Sequence, residues 1–93
     1  MRIWATIRRE HQIIAQTIRE FPISVREVED WGEIIAPLCY DLDLARPVIL
    51  KKHINELHTF SRAVFKPEDF METVCFDRFE VEIFPEEKKK KKQ

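Results

Sequence analysis

The sequence predicts an α+β domain: a three- or four-stranded antiparallel sheet, built from an N-terminal hairpin and a C-terminal strand, with two helices on one face. Three observations predict it. Phe79, Val81 and Ile83 alternate with Arg78, Glu80 and Glu82, the period-two pattern of a strand with one dry face and one wet face. A lone strand cannot satisfy its own backbone donors and acceptors, so it needs partners earlier in the chain. Ser24 and Glu27 have capping-box spacing ahead of an apolar stripe, the mark of a helix start.

Residues 2–21 supply the missing strands. Ile3, Ile7, Ile14, Ile18 and Phe21 also fit a helical stripe. Ile and Thr are dense here, however, and β-branched side chains suit a pleated surface better. The reading is a hairpin of residues 2–9 and 13–21 with its turn near Glu10-His11. That turn lacks the Gly or Asn that positive φ favours. Pro22 ends the second strand, because it cannot donate to a ladder.

The first helix opens at Ser24, with Ile23 and Val28 as a hydrophobic staple and Val28, Trp31, Ile35, Leu38 and Leu42 as its inner stripe. Pro37 predicts a kink or a stop. Residues 41–47 form a turn. A second helix spans residues 48–59, with Leu50, Ile54 and Leu57 facing inward. Residues 61–65 read as a short edge strand. Lys66 to Phe70 reads as a helical turn with Pro67 near its start. Pro85 closes the terminal strand. The domain spans residues 1–85, and residues 86–93 are a charged tail expected to be disordered.

The totals bound the class. With 93 residues, 44% hydrophobic and 35% charged, the chain is one small globular domain. No apolar run approaches the roughly 20 residues that span a bilayer. No signal-peptide pattern is present either, so the expected location is the cytoplasm and no membrane partner is expected. Net charge is −1, but residues 88–92 are five lysines, so the rest of the chain carries −6. Broad phosphate-backbone binding is not expected of such a body. One glycine excludes Gly-rich phosphate loops. Cys39 and Cys75 sit in apolar context without C-x-x-C spacing, and both read as buried thiols.

Met1-Arg2-Ile3-Trp4-Ala5, the Asp43-Leu44-x-x-Pro47-Val48-x-Leu50 segment and the run from Phe65 through Asp69-Phe70, Glu72, Val74 and Phe76-Asp77-Arg78-Phe79-Glu80 resemble a group of small uncharacterised proteins from anaerobic Gram-positive, Clostridia-type bacteria. The resemblance covers most of residues 1–84. In that group the hairpin turn looks like Asp-Asn or Asp-Gly, where this chain has Glu10-His11-Gln12. The group has no assigned activity, so the resemblance implies a fold and no chemistry.

Few constellations suggest chemistry. His53 and His58 are five apart, whereas zinc pairs on a helix prefer three or four. They read as exposed or capping histidines, and no metal or cofactor is expected. Asp41, Asp43 and Asp77 would have to meet near one end of the sheet to do paired-carboxylate work; Asp at loop boundaries more commonly bonds nearby backbone.

The hairpin is basic. Arg2, Trp4, Thr6 and Arg8 share one strand face, with Arg9 and Arg19 nearby. The expected function is a small non-catalytic interaction domain, contacting an unidentified protein or a second copy of itself, with Trp4 as anchor and arginines at the rim. The alternative is an accessory nucleic-acid binder that uses this hairpin and the lysine tail. A small enzyme with a carboxylate site comes third.

Overall fold

The computed structural model describes residues 1–84. The charged tail and the stop at Pro85 lie outside the described residues. Four antiparallel strands form one sheet: β1 (Arg2–Arg9), β2 (Gln12–Glu20), β3 (Arg62–Phe65) and β4 (Arg78–Phe84), in the order β2-β1-β4-β3. Two helices, α1 (Trp31–Asp41) and α2 (Lys51–Phe60), lie between β2 and β3 in the chain.

Alternation along the strands decides which face is dry. Ile3, Ala5 and Ile7 of β1 pair with Ile83, Val81 and Phe79 of β4, and all six are buried. Ala63 and Phe65 of β3 extend the same layer. Against it pack Trp31, Ile34, Ile35, Leu38 and Cys39 of α1, and His53 and Leu57 of α2. Both helices therefore cover one face of the sheet. Burying side chains of this size is the main driving force for so small a domain.

Both helices begin later than the sequence predicts. Ser24 opens only a 3-10 turn, Val25–Glu27, although its N–H does donate to Glu27 Oε1 at 2.7 Å. The chain then runs extended through Val28, and α1 starts at Trp31 with Asp30 as its cap: Asp30 Oδ1 accepts the Gly32 N–H at 2.9 Å. Val28 and Leu42 thus flank the helix, and its inner stripe gains Ile34 and Cys39. Pro37 does not end the helix, which continues to Asp41. The carbonyl that loses its donor belongs to Glu33, which faces water.

α2 starts at Lys51 because the Val48 N–H donates to the Asp69 carbonyl at 2.7 Å, holding the preceding segment extended. Leu50 becomes the cap residue, and its side chain is 44% exposed rather than inward.

Cys75 is exposed, contrary to the sequence reading. It lies in a loop between half-buried Val74 and buried Phe76, and the core is reached by its neighbours.

Candidate functional site

The sheet face turned away from the helices carries the even-numbered residues of β1 and β4. Arg2, Trp4, Thr6 and Arg8 lie on it, opposite Glu20, Ile18, Gln16 and Ile13 of β2. On the other side they face Phe84, Glu82, Glu80 and Arg78 of β4. A bulge at Ile7/Arg8 leaves Ile14 without a partner in β1.

At the Trp4 end, an apolar cluster is open to solvent. The Trp4 ring stacks on Phe84 with centroids 6.3 Å apart. Trp4 Nε1 donates to Gln16 Oε1 at 2.8 Å, which fixes the indole across the sheet. Ile18 sits beside it, 58% exposed. Trp4, Gln16, Thr17, Ile18 and Phe84 line one shallow cleft.

The arginines around this cluster are already partnered. Arg2 reaches Glu20 at 2.9 Å. Arg9 donates to the Cys75 carbonyl at 3.3 Å. Arg19 lies on the helix side of the sheet, where Nε and Nη2 donate to the two Asp41 oxygens at 2.7 and 2.9 Å. Those hydrogen bonds hold the Asp41 carboxyl below its ordinary range and raise the Arg19 guanidinium.

Arg8 points to a feature the sequence pattern hid. Its Nε donates to Glu80 at 3.1 Å, and Arg62 and Arg78 reach the same carboxylate at 3.3 and 3.6 Å. Glu80 occupies a wet-face position yet is only 7% exposed, and neighbouring Thr6 only 2%. A carboxylate that deep needs compensating charge. Three strands supply it, since Arg8, Arg62 and Arg78 come from β1, β3 and β4. Thr6 is consequently out of reach of a partner molecule. No pattern within one strand could have revealed this, because the cluster depends on strand order.

The three aspartates are not brought together. Asp41 sits on Arg19, opposite Ile3, and also accepts from Thr17 Oγ1 at 3.2 Å. Asp77 binds the hairpin turn at the other end of β1, accepting the Glu10 N–H at 2.8 Å. Asp43 occupies the turn after α1 with φ 56°.

His53 is fully buried and structural in its contacts. Its Nδ1 accepts the Leu50 N–H at 3.0 Å, so the ring proton resides on Nε2, which faces Asp69 Oδ2 at 3.4 Å. The ring also stacks on Phe65, centroids 4.1 Å apart. His58 is exposed, its ring edge-on to Trp31.

Among the described residues, no group of three His, Cys, Asp or Glu side chains is placed to hold a metal ion. No helix among them is long and apolar enough to cross a membrane. Comparison with protein-family models, with curated proteins and with solved structures returns no match.

Proposed function

We propose that this chain is a small non-catalytic interaction domain that contacts another protein through the open sheet face. The observation that carries this reading is the cluster of half-buried Trp4 with exposed Ile18 and Phe84 on a face that the helices leave uncovered. Aromatic and aliphatic anchors bordered by charged pairs are the composition of protein contact surfaces. The same face supports nucleic-acid binding less well. Its arginines pair with Glu20 and Glu80, and Glu82 lies on the same face, so little positive charge is left for phosphates. A cytoplasmic location belongs to this proposal: two free thiols, one exposed, suit a reducing compartment. Kinship with the small proteins of anaerobic Gram-positive bacteria is likewise part of it, carried by the residues quoted above.

Affinity capture from native lysate, with nuclease present, tests the reading. Wild-type bait should retain a partner that Trp4→Ala bait loses, while both variants keep the same circular dichroism. Labelled single-stranded RNA and DNA should show no binding in fluorescence anisotropy at moderate salt. Micromolar binding that falls steeply with salt and disappears in an Arg8→Ala, Arg9→Ala double variant would instead establish the nucleic-acid reading.

A further inference from the structure

The two edges of the sheet differ. β3 is four residues long, and the outward N–H of Val64 is accepted by Glu56 at 3.4 Å. Short length and a covering carboxylate are ordinary ways to close an edge. β2 is nine residues long, and none of its outward backbone groups has a backbone partner among the described residues.

Which β2 groups point outward follows from the ladder. Met1 and Phe21 exchange hydrogen bonds in both directions at 2.8 Å. Hydrogen-bonded and non-hydrogen-bonded pairs alternate along an antiparallel ladder. Arg19, Thr17 and Ala15 therefore bond to β1, while Glu20, Ile18 and Gln16 direct N–H and C=O to the free edge. The bulge residue Ile14 bounds this regular window on one side and Pro22 bounds it on the other. Its centre is Ile18, a residue that already protrudes beside Trp4.

We propose that a second copy of this chain docks here, β2 against β2, antiparallel and two-fold symmetric about Ile18, joining two sheets into one of eight strands. The inference rests on the open face being a protein contact surface, and it names the partner. Self-pairing about Ile18 sets the two copies' Ile18 side chains opposite each other and lengthens the Trp4–Ile18 apolar row across the junction. Gln16 of each copy then meets Glu20 of the other. The ionic groups of the window are Arg19 and Glu20, and each is compensated within its own chain, by Asp41 and Arg2. The pairing thus brings no uncompensated like charges together. Shifting the centre to Gln16 would run the ladder into the bulge. Shifting it to Thr17 would set each Ile18 against Gln16. The pairing about Ile18 adds roughly six backbone hydrogen bonds and covers an isoleucine that the monomer leaves in water.

Sedimentation velocity on the full chain tests the proposal. The mass should rise with concentration from 11.2 kDa toward twice that value. Gln16→Pro deletes an outward N–H and spares every backbone bond to β1, and the Trp4 Nε1 bond it loses is lost equally in Gln16→Ala, so it should weaken association by at least about tenfold while keeping the wild-type circular dichroism. Gln16→Ala retains the N–H and should still dimerise. In a Cys75→Ser background, oxidised Ile18→Cys should cross-link to its symmetry mate, because paired Cα atoms lie within disulfide reach; Gln16→Cys should not. A monomer at all concentrations, dimerisation indifferent to Gln16→Pro, or cross-linking through position 16 instead of 18 would each overturn the proposal. A monomeric chain that still captures a Trp4-dependent partner overturns the self-pairing alone, whereas loss of both overturns the interaction surface as well.

Discussion

Asp77 Oδ2 accepts the Glu10 N–H at 2.8 Å, and the Asp77 N–H donates to the Arg8 carbonyl at 2.8 Å. The entry to β4 thereby clasps the hairpin turn. Glu10 and His11 both have positive φ, 53° and 72°, without being Gly or Asn. Left-handed backbone costs an ordinary residue about 1–2 kcal/mol, and the clasp offsets part of that cost. Replacing Glu10-His11 by Asn-Gly should raise stability by about 1 kcal/mol. Asp77→Ala should lower it by about 1 kcal/mol. Urea midpoints at an unchanged m-value check both.

Asp30 rather than Ser24 sets the start of α1. Asp30→Ala should cost about 1 kcal/mol, the usual size of a lost N-cap, and more than Ser24→Ala, which loosens only a 3-10 turn. Trp31, buried at the first helical position, should cost about 3–5 kcal/mol on truncation to Ala. For so small a domain that loss approaches the whole folding free energy. Denaturation curves of the three variants give the ranking, and equal midpoints for Asp30→Ala and Ser24→Ala would reject the assignment.

The thiols should separate by reactivity. Burial pushes the Cys39 thiol up to about 11, against a smaller opposing pull from Arg46, so little thiolate forms near neutrality. Cys75 is exposed. Titration with a disulfide reagent at pH 8 should count one thiol in the native protein and two in denaturant.

Acid should unclasp β2 from α1. The Asp41 carboxyl is held below its ordinary value chiefly by the Arg19 hydrogen bond. A depressed folded-state pKa stabilises fully above the unfolded value, about 3.9 for aspartate, and that contribution is lost as pH falls through the lower folded value. Wild-type stability should therefore decline below about pH 4 more steeply than that of Asp41→Asn. Thermal melts from pH 6 to 2 measure the difference. Added salt should narrow it, since the pair is partly exposed.

The sequence by itself determined the parts of this protein that are governed by local period. Alternation in residues 78–84 identified β4 and its dry face, because side-chain direction reverses at every residue of a strand, whereas β1 and β2 were placed by their β-branched density and by β4's need for a partner. The edge strand at Arg62–Phe65 and the turn at Pro67–Asp69 were legible locally, whereas the hairpin turn at Glu10-His11 carries no Gly or Asn and was placed by the strands on either side of it. Tertiary structure decided the rest. Two capping patterns lie six residues apart, at Ser24 and Asp30, and each is locally sound. Asp30 caps the helix whose Trp31, Ile35 and Leu38 are buried in the core. Glu80 looks like any wet-face glutamate until strand order brings Arg8, Arg62 and Arg78 around it. Strand order also made β2 an edge and left Ile18 uncovered. A period reports which way a side chain points from its own strand. It carries no information about which distant strand lies alongside, and that neighbour determines whether a charge is compensated or an edge stays open.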